Sequence, residues 1–284
     1  MLAATFDLDE PEVANIQAPL DPQQLHGECL ARARLYRVLA GVFVEEASND
    51  FLATLRAPEF LAALGNLGVR FDDDFLKPEL AELEQTLACE FTTLFASSGG
   101  FPAVESVRLT GRFKQDPHYQ VVQIYQRLGF EQIKGRFDVF PDQLGIELMF
   151  VAELLERAAA VLKDGELTAY KKLDKEIKRF WSLHLGRWVR GYSGLIARAS
   201  SHSFYRGMAT FLSGFAIEEI AAMGLTRLDD LDQGQLEVPK SEIKLEFNPD
   251  EPICGECPSG LSERVAQQNG ARVIPITPLT GLAL

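Results

Sequence analysis

The chain has 284 residues, 46% of them apolar and 10% aromatic, enough to bury roughly 70–75% of its unfolded surface in one or two domains without disulfide staples. No uninterrupted apolar run reaches the ~20 residues a membrane span needs, and the opening MLAATFDLDEPEV is acidic where a secretory leader would be basic, so a cytoplasmic protein is expected. A net charge of −13 argues against nucleic acid as the general partner, because phosphate binding wants a basic footprint.

That charge is unevenly spread. Residues 1–24 hold five acids and no base, and residues 224–284 hold ten acids against five bases. Within the body, 25–105 has thirteen acids against six bases, whereas 165–223 has five against nine. An acidic surface of this kind speeds encounter with a cationic peptide and repels anionic ligands.

In chain order, residues 1–24, rich in acids and proline with little periodicity, read as a loose arm. Asp21-Pro22 signals a helix start, and Leu25, Cys29, Tyr36, Leu39 and Phe43 share a face on a first helix reaching about Glu46. Ser48 or Asn49 can cap a short second helix with Phe51, Leu52 and Leu55, which Pro58 interrupts before Phe60, Leu61 and Leu64. Leu76, Leu80, Leu83, Leu87, Phe91 and Leu94 keep a three-or-four spacing that predicts a third helix of nearly five turns. Ser97-Ser98-Gly99-Gly100 stops it, and a loop is expected over 101–117. Asp116-Pro117 opens a helix with Val121, Val122, Tyr125 and Leu128 that Gly129 ends. After a second loop, 130–140, Pro141 suits a helix's first turn, and Leu144, Leu148, Val151, Leu155, Ala158 and Leu162 lay one apolar stripe on a helix that Lys163-Asp164-Gly165 can end.

Residues 166–198 form a long helix or a bent pair, with Trp181, His184 and Trp188 inward and a lysine and arginine face outward, either solvated or a contact for an acidic client surface. Ser201 caps a last helix through Phe204, Phe211, Phe215 and Ile220. The fold class is all-α: a single bundle of seven or eight helices with no convincing strand in the body. Residues beyond 224, with six prolines, are an extended or disordered tail. The division is thus an arm at 1–24, a helical domain at 25–223 and a tail at 224–284.

Little of this suggests bond-making chemistry. Cys29 and Cys89 fit as small core residues in helices. Cys254 and Cys257, spaced as CxxC, are half of a four-ligand zinc or iron–sulfur site; they form a loop without metal, a site shared with another chain, or a redox pair. No HExxH, no Glu-x-x-His pair and no GxSxG elbow occurs, so no enzyme is expected. Asp142, at the start of the 144–162 stripe, reads from spacing alone as an ordinary capping acid.

Several blocks carry a resemblance. Pro141-Asp142-Gln143-Leu144-Gly145 with Glu147-Leu148 resembles the PDHLGxEL signature of the TorD/DmsD/NarJ-like molybdoenzyme maturation chaperones. Glu90-Phe91 with Leu94-Phe95, then Pro102 and Glu105-Ser106-Val107, resembles the family's ExYxxLF…P…ES block. His184-Leu185 with Trp188, Phe204-Tyr205 and Phe211-Leu212 resemble its HL…W and FY…FL helices, and Leu35-Tyr36 with Leu39-Ala40 and Phe43 its YxxLAxxF helix. The one departure at the signature is Gln143 where the family usually has histidine.

The resemblance implies a chaperone that binds the twin-arginine signal peptide and apo form of a molybdenum-containing catalytic subunit, holding back export until the cofactor is inserted. Carried onto this chain, its peptide-binding positions are Tyr36, Phe91, Phe95, Glu105, Asp142, Gln143 and Glu147. No cofactor is required, and either a monomer or an exchanged-helix dimer is compatible. The alternatives are a metal- or cluster-handling factor using Cys254 and Cys257, and an all-α enzyme with a nucleotide substrate.

Overall fold

The structure is a computed structural model that describes residues 21–96, 99–133, 139–225 and 228, together with a strand at Arg272–Ile274. Among these residues there are eleven α-helices and one two-stranded sheet, so the fold is all-α. The cysteines of the CxxC and the 1–20 part of the arm lie outside the described residues.

Two long helices form the axis. Helix α1 (Pro22–Val44) starts on Asp21, whose side chain accepts from the Gln23 N–H, with Pro22 at the first helical position. Helix α8 (Leu144–Lys163) is buried at 14 of its 20 residues, and every residue from Leu144 to Ala152 is inside. The expected single stripe holds only for the second half of α8; the first half is covered all round, as an almost wholly apolar run should be. The pair is antiparallel: His26 near the start of α1 lies 2.9 Å from the Ala159 carbonyl near the end of α8, and the start of α8 meets the end of α1. There a Cβ on Gly145 would stand 2.6 Å from Cβ and 2.8 Å from Cα of Val44. Only glycine permits so close an approach, which gives the glycine of the signature a packing reason.

Around this axis lie α2 (Asn49–Leu55), α3 (Pro58–Asn66), α4 (Asp73–Leu76) and α5 (Leu80–Phe91), the last ending in a π turn at Thr92–Ala96. The expected third helix is therefore broken at Lys77-Pro78, since proline cannot continue the helix that precedes it. The expected loop 101–117 contains a short helix, α6 (Glu105–Thr110), which ends on left-handed Gly111 at φ +77°. Helix α7 (Asp116–Arg127) follows, and β1 (Phe130–Gln132) pairs in parallel with β2 (Arg272–Ile274), a strand in the body that periodicity over three residues could not reveal.

The 166–198 segment is the bent pair: α9 (Leu167–Leu183), a 3₁₀ turn at Leu185–Arg187, and α10 (Val189–Ala199). The last helix, α11 (Ser203–Ala222), is capped by His202, whose ring accepts from the Phe204 N–H, and not by Ser201. Cys29 is buried as expected, but Cys89 is exposed on α5; helical position does not reveal which face the core takes. No helix among the described residues is long and apolar enough to cross a membrane.

Candidate functional site around the Pro141–Gly145 turn

The turn before α8 is stitched to the segment before α6. The Leu144 N–H donates to the Ala103 carbonyl at 2.8 Å, the Glu105 N–H to the Asp142 carbonyl at 2.8 Å, and Val104 bridges Gln143 in antiparallel fashion. Two further clamps hold the same place. Tyr125 on α7 donates to the Pro141 carbonyl at 3.1 Å, and Tyr192 on α10 to the Phe101 carbonyl at 2.8 Å. Upstream, the Phe101 N–H takes the Leu94 carbonyl that the π turn leaves over, at 2.6 Å. Gly100 is pressed against this turn so closely that a Cβ would fall 2.7 Å from the Thr93 oxygen.

Asp142 is a cap, but of the neighbouring helix. Its Oδ2 accepts from the Ser106 N–H at 3.0 Å and its Oδ1 faces His118 Nδ1 at 2.9 Å, so a carboxylate sits at the positive end of α6. Gln143 caps α8 itself: Oε1 accepts from the Gly145 and Ile146 N–H groups at 2.6 and 3.2 Å while Nε2 donates to the Phe43 carbonyl at the end of α1. An amide can do both at once; this is a physical use for glutamine where the family usually has histidine. An imidazole is still present at the turn, supplied by His118 from α7.

Beneath the turn lies a second acid pair. Glu105, at the start of α6, has Oε2 2.8 Å from His184 Nδ1, and His184 is the residue at which α9 ends. Glu147, one turn into α8, is fully buried and neither of its oxygens has a hydrogen-bond partner. Burial, then the Glu105 and Asp142 carboxylates, push its pKa well above the ordinary range, while the nearby Trp188 indole favours the charged form without closing a hydrogen bond. Tyr125 is likewise pushed well up by burial and by the three carboxylates of Glu147, Asp142 and Glu105.

The seven carried-over positions therefore divide. Glu105, Asp142, Gln143 and Glu147 come together, but Glu105, Asp142 and Glu147 are 0% exposed and Gln143 only 7%. In this conformation neither Asp142 nor Glu147 is open to an incoming chain, so the direct charge contact expected of them is not available; Asp142 fastens the turn from inside, through Ser106 and His118. Phe91 and Phe95 meet edge-to-face at 4.8 Å and reach the turn through Phe43, 6.1 Å from Phe95. Tyr36 stands apart. It donates to Glu219 on α11 at 2.6 Å, accepts from Trp181 Nε1 at 2.8 Å and packs on Phe215.

What faces outward at the turn was missed. Phe140, half-buried, stacks on Phe113 at 4.9 Å, and His118 meets both Phe140 and Tyr119 edge-on. Phe113 is 46% and Tyr119 54% exposed, and Ile133 is 47% exposed in the next loop. A phenylalanine between Arg112 and Lys114 in a predicted loop was the available signal: a large apolar group where nothing local can bury it.

No curated protein matches this chain. A family model described as nitrate reductase delta subunit matches residues 49–192, half of the chain, a span that contains α2 to α9, the π turn, the fastened turn and its aromatic ledge. The chain belongs to the nitrate reductase delta subunit family, the NarJ/TorD-like family of molybdoenzyme maturation chaperones.

Proposed function

We propose that the chain holds a molybdoenzyme catalytic subunit in its apo form by binding that subunit's twin-arginine signal peptide, and does so in the cytoplasm without covalent chemistry. The observation that carries this reading is the aromatic ledge of Phe113, Tyr119 and Phe140 resting on the fastened turn. An apolar leader segment wants exposed rings on a rigid support, and the turn beneath them is tied down by four helices. The basic end of such a peptide is matched by the acid-rich 25–105 segment, where Asp50, Glu59, Asp72, Asp73, Glu79 and Glu82 are exposed. Charge there steers the encounter and the rings supply the grip. The buried carboxylates set the shape of the ledge and do not touch the peptide.

Calorimetric titration with the signal peptide of the client subunit tests this. The Phe113→Ser/Tyr119→Ser double variant should bind at least ~10-fold more weakly, since exposed aromatic anchors dominate such contacts, with its helix content unchanged. Equal affinity of variant and wild type would remove the ledge from the binding site.

A further inference from the structure

Glu105, Glu147 and His184 lie at the bottom of the fastened turn, on three separate elements: the start of α6, the first turns of α8 and the end of α9. Each offers a ligand atom, and these atoms all lie within 4.8 Å of one another. All three residues are buried, at 0%, 0% and 1% exposure. Glu105 Oε1, both oxygens of Glu147 and His184 Nε2 have no hydrogen-bond partner. Three of these are carboxylate oxygens of adjacent acids, and buried acceptors without partners are a costly arrangement for a core, where such groups are nearly always paired. We propose that this cluster is a structural binding site for one first-row divalent cation, of the zinc, iron(II) or manganese kind.

The donor set is the reason for that class. Two carboxylates and one imidazole are the mixed hard and borderline ligands that zinc, iron(II) and manganese accept, whereas calcium and magnesium want oxygen alone. The geometry is close to closure. Ligand atoms around a tetrahedral ion held at ~2.1 Å stand ~3.4 Å apart, so inward side-chain shifts of about an ångström complete the set. Glu105 Oε2 already stands 2.8 Å from His184 Nδ1, so an ion bound by both would take the place of the proton they now share. An ion here would tie α6, α8 and the α9–α10 bend into one unit directly below the turn. Because the ligands are sealed, it would enter while the chain folds and exchange slowly afterwards.

This inference is independent of peptide binding, since retention of the ion is read without any client. The full chain is produced with added ZnCl2 or MnCl2, desalted, and its metal content measured by elemental mass spectrometry. One equivalent per chain is expected in the wild type and in the Cys254→Ser/Cys257→Ser double variant, which removes the other thiolate-bearing candidate. Glu147→Gln, nearly the same shape and free of charge, should fold and yet retain ~10-fold less or lower. His184→Gln is the second variant, should the first be poorly folded. Absence of bound zinc and manganese in the cysteine double variant would overturn the proposal, and so would equal retention in a folded Glu147→Gln protein.

Discussion

Two buried polar clusters share only helix α9 and are built on opposite terms. In one, Glu219 accepts from Arg32 Nε and Nη2 at 2.9 and 2.6 Å and from the Tyr36 hydroxyl at 2.6 Å, while Trp181 Nε1 donates to the tyrosine oxygen at 2.8 Å. Donors and acceptors are matched, and Tyr36, though a carried-over binding position, is spent entirely on joining α1, α9 and α11. In the other, Glu105, Glu147 and His184 leave four polar atoms without partners. A satisfied network holds a fold; an unsatisfied one, buried more deeply still, keeps capacity for something that is not protein.

The sharpest way to break that comparison is to remove Glu219. Glu219→Ala leaves a guanidinium and a phenol unpaired and should cost about 3 kcal/mol, the low end for a buried pair because the Arg32 side chain is 29% exposed and can reach water. Thermal unfolding read by circular dichroism would show it as a fall of roughly 6–12 °C. A fall of a degree or less would mean that this network is not structural either.

Asp142→Asn comes next. It weakens the cap on α6 and the contact to His118, for an expected loss of about 1–2 kcal/mol. Signal-peptide affinity should fall by the same factor at low and at high salt, because the carboxylate acts from inside. A loss confined to low salt would instead place Asp142 in direct contact with the peptide, as an exposed and screened charge.

Asp74 offers a smaller, pH-dependent effect outside both clusters. Partial burial raises its pKa, but bonds from the Ser203 hydroxyl and N–H at the start of α11 outweigh this and hold it below the usual value. A carboxyl depressed in the folded state adds stability above its unfolded pKa of ~3.9 and loses it as pH falls through the folded value. Asp74→Asn should therefore be slightly less stable near neutrality, by about 0.5 kcal/mol once solvent screening of a side chain 38% exposed is allowed for, and the two melting curves should converge as pH falls below about 4. Parallel curves down to low pH would show that the amide caps α11 equally well.

The smallest expected effect is the most telling for the comparison. Glu147→Gln in chelator-treated protein should change stability by less than the about 0.5 kcal/mol that even a weak hydrogen bond contributes, since none is formed there to lose. A large destabilisation would show that Glu147 has structural partners after all, and the contrast with Glu219 would disappear.

Much of the frame was legible in the sequence, and the misses have physical causes. Apolar spacing located α1, α7, α8 and α11 because each must cover a stripe of core. The same spacing ran α4, α5 and the π turn together, since a hydrophobic face continues past Pro78 even where the backbone does not. Helix α6 escaped because six residues, ESVRLT, are too few to show a period; Asp142 makes it possible by capping from 36 residues away. The resemblance brought Glu105, Asp142, Gln143 and Glu147 to one place but could not tell inside from outside. A carboxylate in a signature looks the same whether it greets a ligand or anchors a turn. His118 and Phe113 had no local pattern, because their roles depend on Asp142 and Phe140, far along the chain.

Hydrogen–deuterium exchange with and without the client's signal peptide tests the central claim most directly. The account predicts protection on binding at residues 111–119 and 139–142, the ledge and its turn, with little change along α11. The contrary result is protection centred on the groove of about 590 Å³ that Leu67, Arg70, Gly207, Phe211 and Gly214 line beside α11, with the ledge unaffected.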